Sequence, residues 1–299
     1  MKCLNVITVI GAINLDINIR VGEIVAPGKQ AFIKEITRSP GGKGGNVATA
    51  VARLSGSCNL ISCVGDDEIG AEQLRLLRKE GIDIEGVKIS HTHETGQAYI
   101  LIDDTGQNQI NSYRGANSDL DQAHIRSPPV DRILQGTDFL IMMDPPLDLV
   151  KAMSGLRATK IFAPGTWATT EPRKVAEIAS IADYLLLNQF EIAGLEDYLN
   201  VKRTVIVITR GSDGFKYIDS SGTVDIKGVD LSRKGYKIIN TVGAGDSFIG
   251  GFVSFLALGR SPIEAAKMGN YCGAFKVTKA DSRGSPTMQE LLSFIKEIG

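Results

Sequence analysis

Four consecutive residues, Gly243-Ala-Gly-Asp246, combine side-chain-poor backbone with a carboxylate, and an almost wholly apolar helical pattern follows them. The first N–H groups of a helix have no intrahelical acceptor, so this turn favours an anion. Beside a bound phosphate, Asp246 has a clear use if it accepts a proton from an attacking hydroxyl while the turn stabilises the migrating phosphoryl group. The same residues also fit a tight turn with an ordinary N-terminal helix carboxylate.

A second glycine-rich segment, Pro40-Gly-Gly-Lys-Gly-Gly-Asn46, runs into another helical pattern. Its spacing does not match the phosphate-binding loop G-x-x-x-x-G-K-[ST]. Exposed backbone followed by Asn46 suits close contact with a polyhydroxylated ligand, although Asn46 alone also fits an N-cap.

Composition limits the classes of function. The 299 residues carry 33 Lys+Arg and 34 Asp+Glu, with 43% hydrophobic and 22% charged residues. These values are typical of a globular protein and argue against a disordered chain. A net charge of −1 gives no general attraction to nucleic acid or to an anionic membrane.

Cysteine usage and hydropathy predict a soluble cytoplasmic protein. Three histidines and four cysteines without a C-x-x-C pair argue against zinc and favour reduced thiols. The apolar run 6–10 lacks a cleavage pattern, and the run 248–258 is too short to cross a bilayer. The cysteines are Cys3, Cys58, Cys63 and Cys272.

Short apolar runs alternate with helical patterns, which predicts an α/β fold around a mainly parallel sheet. Ligands of such sheets bind beyond the carboxyl ends of the strands. The predicted strands are Val6–Ile10, Leu60–Val64, Phe139–Met143, Lys160–Phe162, Tyr184–Leu187 and Val205–Thr209, and the predicted helices are Asn46–Leu54, Gly70–Glu80, Leu147–Leu156, Glu171–Ile181, Glu191–Tyr198, Asp246–Leu258, Ile263–Thr278 and Thr287–Ile298.

Residues 13–36 and 96–113 break this alternation with β-favouring residues and Pro-Gly or Thr-Gly turns. We expect them to supply extra strands that form a lid over the carboxyl edge of the main sheet. No repeat or interdomain linker interrupts residues 1–299, so a single domain is predicted. Because bare strand edges tend to pair, two such lids would join a homodimer.

Gly41-Gly-Lys-Gly-Gly-Asn46 and Gly243-Ala-Gly-Asp246 together resemble the two signatures of the ribokinase-like (PfkB) carbohydrate kinase family. The resemblance spans nearly the whole chain and implies a three-layer α/β/α fold with a small β-sheet lid. Other segments similar to the family follow in the expected order, namely Gly11–Asp16, Val64–Gly70, Thr95–Gly96, Asp103–Asn108, Gly115–Asn117, Asn188–Glu191 and Thr209–Gly214.

The resemblance implies ATP-dependent phosphorylation, with Asp246 as the catalytic base beside an anion hole. Alone, Asn188 with Glu191 also fits a helix cap, Asp16 a solvated turn acid, and Asp144 a loop residue that ends a strand. The implied roles are anion hole for Gly243, Ala244 and Gly245, sugar binding for Asn14, Asp16, Gly41, Gly42, Lys43, Asn46 and Asp144, nucleotide binding for Asn188, Thr209, Gly211 and Asn270, and Mg²⁺ binding, mainly through water, for Glu191 and Asn188.

Asn240 departs from the family pattern, because many ribokinases place there an aspartate that helps to hold an activating monovalent cation. An amide oxygen binds such an ion more weakly, which puts potassium activation in doubt. The form of the sugar loop favours ribose or a similar small sugar, and a nucleoside kinase is the close alternative. A phosphosugar kinase ranks third, since Lys43 is the only cation in the proposed sugar loops. A non-catalytic sugar- or nucleotide-binding protein on the same scaffold is the alternative from another class.

Overall fold

The structure is a computed structural model that describes residues 5–195 and 203–298. Within these ranges the apolar runs form strands. The strands of this part of the chain are β1 (Ile7–Gly11), β2 (Asn14–Val21), β3 (Ile33–Gly41), β4 (Cys58–Gly65), β5 (Ile82–Asp83), β6 (Val87–Ser90), β7 (Gly96–Ile102), β8 (Asn108–Tyr113), β9 (Phe139–Met143), β10 (Thr159–Ala163), β11 (Tyr184–Asn188), β12 (Val205–Thr209), β13 (Phe215–Asp219) and β14 (Gly222–Ile226).

Several helices begin where the sequence supplies a cap for the free N–H groups of the first turn. The Asp67 side chain accepts a hydrogen bond from the Gly70 N–H, and Ser261 forms a capping box with Glu264. The helices in the described ranges are α1 (Lys43–Ser55), α2 (Glu68–Lys79), α3 (Gln122–Ile125), α4 (Pro128–Gln135), α5 (Leu147–Ala152), α6 (Trp167–Thr170), α7 (Pro172–Ala179), α8 (Gln189–Ile192), α9 (Ala244–Ala257), α10 (Pro262–Lys276) and α11 (Met288–Ile298).

A large central sheet has the strand order β14-β13-β12-β11-β10-β9-β1-β4-β5, with β6 also paired to β4. Its strands are parallel from β12 to β5, whereas β13 and β14 add an antiparallel hairpin at one edge. The predicted mainly parallel sheet is therefore confirmed. Parallel sheets need helices on both faces, because both faces are apolar.

The two faces of this sheet carry separate hydrophobic clusters. Val9 and Ile141 pack with side chains of α1, α9, α10 and α11, while Ile10 and Leu140 pack on the other face with α4, α5 and α7. Successive side chains of a strand point to opposite faces, which explains how one apolar run serves both clusters. The result is the expected three-layer α/β/α arrangement.

Strands β3, β2, β7 and β8 form a second four-stranded sheet in that order, which we call the small sheet. Strands β2, β7 and β8 lie within the two predicted ranges 13–36 and 96–113, whereas β3 extends beyond the first range to Gly41 in the first glycine-rich segment. Asn14, at the beginning of β2, lies opposite both Gly41, at the end of β3, and Gly96, at the beginning of β7. Three passages of the chain between the small sheet and the α/β/α body therefore lie side by side, in what we call the hinge row (Asn14, Gly41 and Gly96).

Some predicted bounds differ from the structure. Helix α5 ends at Ala152 rather than at 156, because a turn follows at Met153. The helix predicted over 191–198 is the short α8, and residues 196–198 lie outside the described residues. Among the described residues, no helix combines the length and apolar composition that spanning a bilayer requires.

Candidate active site

A cavity of about 590 Å³ lies at the carboxyl ends of the parallel strands, between the large sheet and the small sheet. Met143, Ala163 and Thr209, the last residues of β9, β10 and β12, line it. This is the edge at which ligands of parallel sheets bind. The predicted site residues that line the cavity are Asn14, Asp16, Gly42, Lys43, Asn46, Asn188, Glu191, Thr209, Gly243, Gly245 and Asp246.

The predicted anion hole lies at the N-terminal end of α9, since Ala244 and Gly245 are the first two residues of that helix. Gly243 is the N-cap and has a φ of 83°, in the left-handed region that favours glycine, and a Cβ there would overlap the carbonyl oxygen of Ser282. The Ala244 N–H donates to the Thr241 carbonyl at 3.2 Å, and Ala244 does not line the cavity. A Cβ on Gly245 would meet no atom within 4 Å, so this residue faces open space.

Asp246 lies in the first turn of α9, where its Oδ2 accepts a hydrogen bond of 2.7 Å from Asn46 Nδ2. The structure thus joins the two glycine-rich segments, 200 residues apart in sequence, through these side chains. Burial raises the pKa of Asp246, while the Asn46 hydrogen bond and the ammonium groups of Lys43 and Lys276 oppose that rise. A carboxyl group with a raised pKa is a stronger base once ionised.

The glycines of the first signature bring the backbone of α1 against β1 and β2. Gly42 is the N-cap of α1 with a φ of 84°, and a Cβ there would lie 2.6 Å from the Ala12 carbonyl oxygen. A Cβ on Gly41 would overlap the carboxylate of Asp16. Gly41 does not line the cavity, and its role is to make room for Asp16.

Asp16 is 4% exposed, so the structure excludes the alternative of a solvated turn acid. Its Oδ2 accepts a 3.2 Å hydrogen bond from Ser282 Oγ. Burial raises the pKa of Asp16 from 3.8 to about 6, the Ser282 hydrogen bond opposes this, and the negative charge of Asp246 adds to it. The cavity floor therefore carries two acids that are costly to ionise together.

Asn14 is held in place by Asn117, which follows the small sheet in a 3₁₀ turn. Asn117 Nδ2 donates to Asn14 Oδ1 at 2.9 Å, and Asn117 Oδ1 accepts from the Ile13 N–H at 3.0 Å. A side chain at Gly96 would overlap both amides. The hinge row and Asn117 together fix the Asn14 side chain at the cavity wall.

Asp144 lies beside the cavity but does not line it. It has a φ of 48°, and its buried Oδ1 has no hydrogen-bond partner among the described residues. Burial raises the pKa of Asp144, while the charges of Lys43 and Arg114 lower it. A strained, buried and unpartnered carboxylate oxygen is more than a strand terminator needs, and it is typical of a group that awaits a polar ligand.

Asn188 and Glu191 form a capping box at the beginning of α8. Asn188 Oδ1 accepts from the N–H groups of Phe190 and Glu191 at 2.8 and 3.0 Å, and Glu191 Oε2 accepts from the Asn188 N–H at 3.0 Å. The helix cap, which the sequence analysis gave as an alternative role for these two residues, is therefore present. Both residues also line the cavity, so the cap places an amide and a carboxylate there.

The other predicted nucleotide residues are more scattered. Thr209 lines the cavity at the end of β12, whereas Gly211 and Asn270 do not. Gly211 has a φ of 58° in an exposed turn, and Asn270 Nδ2 donates to the Lys227 carbonyl at 3.1 Å.

Sequence reasoning predicted a lid over this edge of the sheet but named none of the β7 and β8 residues that line the cavity. Residues two apart in a strand share a face, and Ala98 with Ile100 on β7 shows this spacing, which would have been a usable signal. The lining residues from β7 and β8 are Ala98, Ile100, Asn108, Ile110 and Ser112.

Known proteins resemble this chain over its full length. Ribokinase from Haemophilus influenzae is 31% identical and the match covers 97% of this chain and 98% of that protein. An ATP-dependent ribose-1-phosphate kinase from Halopiger xanaduensis is 28% identical, with coverage of 96% and 97%. The crystal structure of ribokinase from Thermotoga maritima superposes with a TM-score of 0.84 at 27% identity, with coverage of 98% and 99%.

Residues 5–288 match the family described as pfkB family carbohydrate kinase. The match includes both glycine-rich signatures, the small sheet and the α9 turn. The chain therefore belongs to the pfkB family and is a carbohydrate kinase, a phosphotransferase with an alcohol group as acceptor.

Proposed function

We propose that this protein transfers the γ-phosphoryl group of ATP to a hydroxyl group of a small neutral sugar, with ribose as the favoured acceptor. The observation that carries the proposal is the position of Asp246. Its carboxylate lies in the first turn of α9, beside Gly245, and contacts Asn46 from the sugar loop at 2.7 Å. A sugar hydroxyl held by the Asn46 loop would thus lie between a base and an anion-binding turn.

In this proposal Asp246 accepts the proton of the acceptor hydroxyl as that oxygen forms a bond to the γ-phosphorus. The bond between the γ-phosphorus and the β–γ bridging oxygen breaks, its electron pair leaves with ADP, and the proton passes later to solvent. The N–H groups of Gly243 and Gly245, which line the cavity, stabilise charge on the transferring group, whereas the Ala244 N–H is bonded to the Thr241 carbonyl. The hydrogen bond from Asn46 and the positive charges of Lys43 and Lys276 oppose the rise that burial causes in the pKa of Asp246.

Asn188 and Glu191 are the proposed Mg²⁺ residues, and Thr209, Gly211 and Asn270 the proposed nucleotide residues. The donor set fits the ion, because Mg²⁺ prefers oxygen ligands and usually binds through one or two carboxylates plus phosphates and water. Residues 5–195 and 203–298 contain no cluster of three His, Cys, Asp or Glu side chains that could hold a metal without a nucleotide. When bound, Mg²⁺ would neutralise charge on the ATP phosphates.

The charges of the cavity favour a neutral acceptor over a sugar phosphate. Asp16, Glu191 and Asp246 line it, with Lys43 as the cation among the described lining residues. Arg114 does not line the cavity; its Nη2 donates to the Asp144 carbonyl at 3.1 Å and its guanidinium lies 4.9 Å from the Trp167 ring centroid. We therefore rank ribose above ribose 1-phosphate.

A nucleoside is the second candidate acceptor, favoured by the wall that the small sheet adds. Ile100 and Ile110 face the cavity in register, and Ile110 is 51% exposed. An apolar wall that is open to solvent on one side can accept a base.

The homodimer is a further part of the proposal. Phe32, Ile33 and Ile36 are 84%, 53% and 47% exposed, and β3 is an edge strand of the small sheet. Apolar edge strands tend to pair. Light scattering coupled to gel filtration should give twice the chain mass, and Phe32→Lys with Ile36→Lys should give a monomer.

The buried free thiols of Cys58, Cys63 and Cys272 suit a reducing compartment, so we place the protein in the cytoplasm.

A coupled ADP-release screen tests the proposed function. The acceptors are ribose, other pentoses, hexoses, 2-keto-3-deoxy acids, ribose 1-phosphate and nucleosides, and we expect the highest kcat/KM with ribose. Asp246→Asn should lower kcat by about 10²–10⁴-fold while calorimetry shows unchanged sugar and ATP binding. Asp148→Asn, at an exposed carboxylate, is the control. A flat screen would favour a sugar- or nucleotide-binding protein instead, and comparable turnover in Asp246→Asn would refute the base.

A further inference from the structure

Lys276, the last residue of α10, is fully buried. Its Nζ donates to the Asn240 carbonyl oxygen at 2.8 Å, the one acceptor it has among the described residues. A buried ammonium group without a carboxylate contact is costly. Burial lowers the pKa of Lys276 to about 8, and the negative charges of Asp281 and Asp246 oppose that fall.

Asn240 connects this ammonium group to the turn before α9. Asn240 Oδ1 accepts from the Val242 N–H at 2.9 Å, and Asn240 Nδ2 donates to the Ala280 carbonyl at 2.7 Å. The side chain thus ties the turn to the segment after α10, while the backbone carbonyl is left for Lys276. Removal of the ammonium group would leave that carbonyl without this donor.

The positive charge of Lys276 also acts on Asp246, the proposed base. Lys276 is among the groups that lower the pKa of Asp246, and Asp246 in turn raises that of Lys276. The two charges therefore interact across the N-terminal end of α9. A neutral side chain of similar length could fill the space but could not supply this field.

We propose that Lys276 is a positioning residue whose ammonium group serves as a built-in monovalent cation behind the Gly243–Asp246 turn. It holds the Asn240 carbonyl, and with it the turn, and it adds positive potential where the transferring phosphoryl group gathers charge. The proposal rests on the proposed role of that turn as the anion hole. It follows that the enzyme needs no added potassium ion. This agrees with the sequence, because Asn240 stands where an aspartate would help to hold such an ion.

The test compares Lys276→Ala with the wild type in sodium, potassium, ammonium, methylammonium and choline salts at one ionic strength. The wild-type rate should be the same in all five. Lys276→Ala should lose at least about tenfold in kcat with little change in the sugar KM, as expected for a lost anion-hole support. Potassium, ammonium or methylammonium should restore much of the lost kcat by entering the space that the Lys276 side chain leaves, and choline should not. Lys267→Ala, exposed on the same helix, should match the wild type.

Rescue by small cations separates this role from a structural one, because a merely misfolded turn does not respond to ion identity. Several-fold activation of the wild type by potassium would overturn the inference, as would a fully active or unrescued Lys276→Ala. If Lys276→Ala does not fold, Lys276→Met keeps the volume without the charge. A melting temperature equal to that of the wild type with a reduced kcat would then support the proposal, and a kcat equal to that of the wild type would refute it. A wild type inactive on every acceptor would instead refute the proposed function.

Discussion

Replacement of Asp16 by asparagine should make the protein more stable and a poorer kinase at the same time. Asp16 is 4% exposed, and burial raises its pKa from 3.8 to about 6. The folded carboxyl group binds its proton more tightly than the unfolded one, so the wild type loses stability as the pH rises from about 4 to about 6. One pKa unit corresponds to about 1.4 kcal/mol, and the ionised side chain therefore costs about 3 kcal/mol at pH 7.

Asparagine has the same shape without the charge and can still accept the Ser282 hydrogen bond. Asp16→Asn should raise the free energy of unfolding by up to about 3 kcal/mol at pH 7 and by less than about 1 kcal/mol at pH 4. Urea titrations between pH 4 and 8 measure this, with Asp148→Asn as the exposed control. The sugar KM should rise by about 10–100-fold, because a hydrogen bond to a charged group is lost. A stability difference that does not change with pH, or a less stable variant at pH 7, would refute the reasoning.

Three further predictions concern the turn, the metal residue and the base. Gly243→Ala should lower the free energy of unfolding by about 1–3 kcal/mol, because Gly243 has a positive φ. Gly245→Ala should leave it unchanged, because a Cβ there meets no neighbouring atom. Equal urea midpoints for the two variants would contradict this prediction. Glu191→Gln keeps the capping box but removes the charge, so the Mg²⁺ concentration for half-maximal rate should rise several-fold at an unchanged melting temperature; an unchanged metal dependence would exclude the role. Asn46→Ala removes the hydrogen bond that lowers the pKa of Asp246, so the acidic limb of the kcat profile should move to higher pH, and a fixed limb would show that Asp246 is not the titrating base.

The main sheet and the two signature turns were predictable because their signals are local. A short apolar run such as Phe139–Met143 is confirmed as a parallel strand, and the glycines of 243–245 are confirmed at the beginning of α9. The hairpin β13–β14 was missed, because Phe215–Asp219 mixes charged and apolar residues and contains no continuous apolar run.

Contacts between distant segments were not predictable. Ser282 binds Asp16 across 266 positions, and nothing near either residue indicates the pairing. Lys276 stands in a run that reads as a helix end with a solvated cation, and only tertiary packing makes it fully buried. The pKa of a buried group depends on such packing, so the electrostatics of the site had to come from the structure.

The hinge row links the position of the small sheet to the binding of the acceptor. Asn14 is both the first residue of β2 in the small sheet and a residue of the cavity wall, and Gly41 makes room for Asp16 in the same row. If Asn14 and Asp16 hold the acceptor as proposed, any displacement of the small sheet would move the groups that bind it, and a bound acceptor would in turn favour one position of the sheet. On the same proposal, an acceptor too short to reach Asn14 would not favour that position of the sheet, so selectivity for the alcohol and protection of ATP from water would fail together.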